Sequence, residues 1–136
     1  MRPRPFVSLL AILVVFGGCA TPPSGAAGLY SVAILGPEGE PFWNGTVAVA
    51  ASAATVLGAL EAAAASGRFF LDIEQSSLGA YVRAIGPYAE ELSSGMGWCF
   101  LVDAGDGYRD VRAAADARAL QAGERVLWRY GSSADC

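Results

Sequence analysis

The chain has 136 residues, nine basic side chains against 13 acidic ones, and a formal net charge of −4. All the basic residues are Arg and there is no His. That balance excludes a nucleic-acid partner, which needs a basic footprint, and adhesion to an anionic membrane through basic residues. The lack of His removes Ser-His-Asp and Cys-His catalysis and His-ligated metal sites.

The chain opens MRPRPFVSLLAILVVFGGCATPPSG. Arg2 and Arg4 form a positive n-region, and the uncharged, mostly apolar run from Phe6 to Phe16 has signal-peptide length. It falls short of the ~20 apolar residues that span a bilayer. Gly17, Gly18 and Cys19 follow, small residues before a cysteine that resemble a bacterial lipobox, with Phe16 where Leu is usual. The expectation is a lipoprotein signal peptide over 1–18 and lipidation at Cys19; the alternative is an ordinary signal peptide with a thiol near its cleavage point. Residues 19–28, rich in Ala, Pro, Ser and Gly, read as a flexible tether. Removing the signal peptide leaves seven Arg against 13 acids, about −6. The protein is expected outside the cytoplasm, anchored on the outer face of the cell membrane or in the periplasm or outer membrane.

From Gly28 the pattern alternates. GLYSVAIL (28–35) and FWNGTVAVA (42–50) read as strands joined by the turn formers of GPEGEP, with Asn44-Gly45 a candidate bend or bulge. Residues 52–67 carry Val56, Leu57, Leu60, Ala63 and Ala64 on one helical face. Ser52 or Thr55 can cap that helix and Gly67 can end it in the left-handed conformation. Gly58 inside it predicts a close approach to the sheet. Strands follow at 68–75, 79–86, 98–103 and 125–130; 87–97 reads as a long loop and 109–120 as a short helix or irregular crossover. A single helix after a hairpin covers one face of a mixed sheet. The expected fold is α+β and β-grasp-like, with a hairpin and then one helix packed on a mixed sheet of about five to six strands.

In this order the segments GPEGEPFWNGTVAV, TVLGALEAA, GAYVRAIGPYAE, GWCFLVDAG and LQAGERVLWRYG resemble the transcobalamin-like C-terminal domain family. The resemblance spans almost all of 30–131 and implies a domain over 29–131 followed by a tail at 132–136. It implies a small extracytoplasmic β-grasp domain whose vertebrate relatives help to hold cobalamin. A departure stands at Val102-Asp103-Ala104-Gly105, where the family has Val-Asn-Gly. The longer, acidic turn is where a difference in ligand would be sought.

Candidate functional residues are few. Trp98, Phe100, Trp128 and Tyr130 alternate on strands, as core residues do and as an aromatic wall for a flat ligand would. Trp98, with the loop residues Tyr88 and Tyr108, is the candidate ligand contact. Asp72 and Glu74 share a strand face, as a solvated pair or an acid/base pair. Asp103, Asp106 and Asp110 do not follow the EF-hand spacing and read as an acidic turn, with no metal site. Cys99 and Cys136 are the cysteines left after Cys19 and, outside the cytoplasm, are expected to pair. The bridge would close a loop of about 37 residues, worth about 2–4 kcal/mol. A catalytic Cys99 would need a base, and no His is there to serve. No catalytic residue and no cofactor is assigned, and an enzyme is not expected. Two functions fit: a lipid-anchored binding module for a small ligand such as a corrinoid, or a cell-surface protein–protein interaction module, partnered by another envelope protein, with no small ligand.

Overall fold

The computed structural model describes residues 27–132. The expected signal peptide, Cys19, most of the tether and Cys136 lie outside the described residues. Strands β1 (Gly28–Leu35) and β2 (Pro41–Val49) form an antiparallel hairpin. Its connection is closed by Gly36 N–H donating to the Glu40 carbonyl and Gly39 N–H to the Gly36 carbonyl, at 2.8 and 3.0 Å. Gly39 sits at φ 78°, a left-handed conformation that costs glycine little. The register shift falls between Ile34 and Leu35, opposite the Pro41–Trp43 end of β2. The expected bulge at Asn44-Gly45 is therefore misplaced: both residues sit in unbroken register with Ala33 and Val32.

Helix α1 (Val56–Gly67) follows a 3-10 turn at Ala51–Ala53. It begins later than position 52, because Thr55 takes the cap and its side chain accepts from Gly58 N–H at 3.0 Å. Val56 and Leu57 N–H donate to the Arg118 and Ala115 carbonyls at 3.0 and 2.9 Å, so a distant crossover satisfies two amides that the helix itself leaves unpaired. Val56, Leu57, Ala59, Leu60, Ala63 and Ala64 are buried, the face read from the sequence with Ala59 added. The left-handed residue at the C-terminus is Arg68, at φ 54°, and not Gly67. Gly67 instead makes room for Trp43, whose Nε1 would lie 2.5 Å from an added Cβ. Gly58 does mark a close approach, but to the 3-10 turn and not to the sheet: a Cβ there would lie 1.9 Å from the Ala53 carbonyl oxygen.

The remaining strands are β3 (Leu71–Ser76), β4 (Gly79–Ile85), β5 (Tyr88–Ala89), β6 (Met96–Asp103), β7 (Tyr108–Asp110) and β8 (Arg125–Ser132). The expected long loop over 87–97 thus contains a two-residue strand and a 3-10 turn at Leu92–Ser94. The 109–120 segment is the irregular crossover, its first residues completing β7. Five strands form one mixed sheet in the order β2-β1-β8-β6-β7, with β8 parallel to β1 and antiparallel to β6. The others form a separate sheet in the order β3-β4-β5. The fold is α+β, with one helix on a mixed sheet as expected; the second sheet is the difference.

Both α1 and the small sheet cover the same face of the large one. Val32, Val126 and Val102 stand in register across β1, β8 and β6, and Ile34, Trp128 and Phe100 form the next rung. α1 lies over β1 and β2, and β4 lies over β6, bringing Ala80, Val82 and Ile85 into one apolar core with Leu60 and Trp128. This layering results from period-2 alternation on three neighbouring strands, which sends every apolar side chain of a rung to one side.

Candidate functional site

Aromatic rings bolt the small sheet to the large one. Trp98 on β6 is buried and donates its Nε1–H to the Tyr88 carbonyl at 2.8 Å. Tyr130, beside it in register on β8, donates its hydroxyl to the Ala89 carbonyl at 2.8 Å. Their rings meet edge to face, with centroids 5.3 Å apart. The two donors thus hold both residues of β5, a strand too short to persist by itself. Tyr88 stacks its ring between Phe42 and Trp98 at 5.7 and 6.4 Å and directs its hydroxyl to Glu40 at 3.3 Å. Burial and the Glu40 carboxylate push its phenol pKa up.

Clefts open where β4 passes over β6. One, of about 190 Å³, lies between Tyr81, Phe100, Trp128 and the crossover at Val111–Ala115. A second, of about 350 Å³, runs from Tyr81 past Leu92 and Met96 to Trp98. A third, of about 350 Å³, extends from Tyr81 toward Leu78 and Glu74. Tyr81 lines all of them. Its hydroxyl donates to Glu90 Oε2 at 2.6 Å, and this bond to a carboxylate, with some burial, pushes the phenol pKa up to about 12. Tyr81 therefore stays a neutral, fixed ring with 43% of its surface exposed, as a contact residue needs. Glu90 also pairs with Arg83 Nε at 3.3 Å, and the Arg83 guanidinium reaches Glu74 at 3.8 Å and Asp72 at 4.0 Å. The pair Asp72 and Glu74 thus flanks one exposed guanidinium, that of Arg83.

Of the three contacts expected from the sequence, Trp98 lines two of these clefts, and Tyr88 packs behind it. Tyr108 does not join them. It lies on β7 opposite Asp103, five residues along β6 from Trp98, with Arg125 over its ring at 5.4 Å. Sequence reasoning singled out Trp128 only among the alternating aromatics and did not single out Tyr81. The signal at Tyr81 is faint: an aromatic on the polar face of a strand, two positions from Arg83.

Asp103 explains the acidic turn. Its carboxylate is buried, Oδ1 accepting from Gly105 and Gly107 N–H at 2.7 and 3.0 Å and Oδ2 pairing with Arg125. Asp106 pairs with Arg109 at 2.6 Å. Among the described residues no group of three or more metal-ligating side chains gathers. The backbone bond from Gly105, with the Arg125 guanidinium, holds the Asp103 carboxyl below the usual carboxylate range. A depressed pKa adds stability above the ordinary carboxylate pKa, and this is lost as pH falls through the folded value. Asp103→Asn is therefore expected to lower Tm at pH 7 by roughly 5 °C and to flatten the acid limb of stability below pH 4. Thermal melts of both proteins from pH 2 to 7 check this; parallel curves would contradict it.

Cys99 sits on β6 opposite Arg129, half-buried. No helix among the described residues is long and apolar enough to cross a membrane.

No protein-family model matches the chain, and no curated protein matches it. Solved structures do. A protein described as a candidate metal binder from Ruminococcus gnavus ATCC 29149 matches with TM-score 0.59 and 15% identity, over 78% of this chain and 98% of its own. Haptocorrin in complex with Cbi matches with TM-score 0.63 and 19% identity, over 77% of this chain. The chain spans 25% of haptocorrin's length. The fold is thus transcobalamin-like.

Proposed function

We propose that the protein is a lipid-anchored, extracytoplasmic binding module for a small ligand, with a corrinoid as the first candidate. The observation that carries this reading is the convergence of the clefts on Tyr81, a ring fixed by Glu90 and left open to solvent. The haptocorrin likeness supports the corrinoid as the first ligand to try. The lipobox-like Gly17-Gly18-Cys19 supports the anchor and placement on an outer membrane face. The disulfide Cys99–Cys136 belongs to the same reading, since it suits an oxidising compartment. Neither catalysis nor a cofactor is part of it.

The full chain, in detergent, is expected to melt about 10 °C or more higher at a corrinoid concentration one hundred times Kd. An unchanged melt across cobalamins and cobinamides would remove the corrinoid. Cys19→Ala is expected to leave the membrane fraction and to lose the mass of its acyl chains; unchanged partition and mass would remove the anchor. The second reading, a protein partner with no small ligand, is favoured by Leu78 and Leu92, 90% and 78% exposed on either side of Tyr81. Cross-linking to one envelope protein through a photoprobe at position 92, with no ligand-induced shift, would favour it.

A further inference from the structure

Strand β2 borders the large sheet, with β1 on one side and, among the described residues, no strand on the other. A border strand presents a row of unpaired N–H and C=O groups that can pair with another chain. Folded proteins usually guard such an edge with charged side chains, with a bulge, or by keeping it short. Three of the sheet edges here are guarded in that way. β3 carries Asp72 and Glu74, β7 has three residues including Arg109 and Asp110, and β5 has two residues. β2 differs: its nine residues, PFWNGTVAV, include no charge. Pro41 and the register shift stand at its start and leave Trp43–Val49 in unbroken register.

Charge selects the partner. The chain is acidic, with a formal net charge of −4, so two copies repel over most of their surface and meet best where no charge stands. A strand can also pair antiparallel with its own copy about a two-fold axis, which makes the contact self-complementary. With the axis at Gly45, Asn44 lies opposite Thr46 of the second copy, and Trp43 lies opposite its Val47. Asn44 and Thr46 are both exposed and able to hydrogen-bond. An aromatic residue opposite a β-branched one is a pair that stabilises antiparallel strands. The same operation on β3 would bring two sets of carboxylates together.

We infer that the β2 edge is a homodimer interface, pairing antiparallel with β2 of a second copy so that two five-stranded sheets continue as one. β1 and β8 separate this edge from β6, where the clefts around Tyr81 open, so the dimer leaves both clefts accessible.

Sedimentation equilibrium of the full chain in density-matched detergent tests this. A strand edge alone is a small interface, so a reversible dimer with a Kd of about 10 µM is expected. Thr46→Lys/Ala48→Lys places two cations on exposed edge positions and is expected to weaken the dimer at least tenfold, with an unchanged far-ultraviolet spectrum. It also lowers the net negative charge, so relief of general repulsion would act in the opposite direction. Gln75→Lys, on the exposed part of β3, is expected to leave the dimer intact. A benzophenone probe at position 44 is expected to cross-link, after reduction of disulfides, to residues 46–48 of a second copy. A monomer at every concentration would overturn the proposal. So would a dimer that persists in the folded lysine variant, or a cross-link to another surface or to a different protein. None of these outcomes depends on a corrinoid.

Discussion

Leu60→Ala is expected to destabilise the domain by about 3 kcal/mol, lowering Tm by about 15 °C. Leu60 is 0% exposed on the buried face of α1, within the core cluster that includes Ile34, Val47 and Trp128. Truncation removes its transfer free energy and leaves a void, because the neighbours it would need to collapse belong to sheet rungs held in register. Those neighbours are themselves pinned on both sides, β1 between β2 and β8. Leu92→Ala is the control: with 78% of Leu92 exposed, it is expected to change stability by less than about 0.5 kcal/mol. Urea unfolding with an unchanged slope checks both. A loss below about 1 kcal/mol at Leu60 would mean that α1 does not seat on the sheet as described.

Gly58→Ala is expected to destabilise by about 2 kcal/mol. The sign is the informative part. Alanine in a helix interior usually gains about 1 kcal/mol over glycine. Here the new Cβ would lie 1.9 Å from the Ala53 carbonyl oxygen, a backbone atom that cannot rotate away. To admit it, the 3-10 turn at Ala51–Ala53 must move. That turn precedes Ala54, whose carbonyl accepts from Leu120 N–H at 2.8 Å, and Thr55, which bridges to Ala119. The strain therefore spreads to the crossover that caps α1. Equilibrium unfolding of the variant decides the matter, and a gain in stability would contradict the packing of the helix start.

These two sites also show where the sequence was legible. The strands with clean alternation, β1, β4, β6 and β8, and the buried stripe of α1 were readable because period 2 and period 3.6 are set by local geometry. The cap was legible only as a choice between Ser52 and Thr55, since either hydroxyl can accept from a first-turn amide; the fold takes Thr55. The division into two sheets was not legible. Nothing in RFFLDIEQ or GAYVRAIG says whether the pair joins the large sheet or stacks upon it; the choice is made by Trp98 and Tyr130 donating to the carbonyls of β5. Gly58 marks a close contact, but the partner expected from the sequence, the sheet, is replaced by the 3-10 turn at Ala53. Asp103 reads in the sequence only as part of an acidic turn, because its partners are two amides beyond it and an Arg 22 residues on. Tyr81 was obscured similarly: its fixing partner, Glu90, is set by the fold of the chain after β4.

The account rests on Tyr81 as the meeting point of a ligand-binding surface. Calorimetric titration of the full chain with cobinamide, beside its Tyr81→Ala variant, tests that most directly. The expected result is a single saturable site, weakened at least about tenfold by the substitution, with the variant's far-ultraviolet spectrum unchanged. The absence of binding heat, or equal affinity in the two proteins, would contradict it.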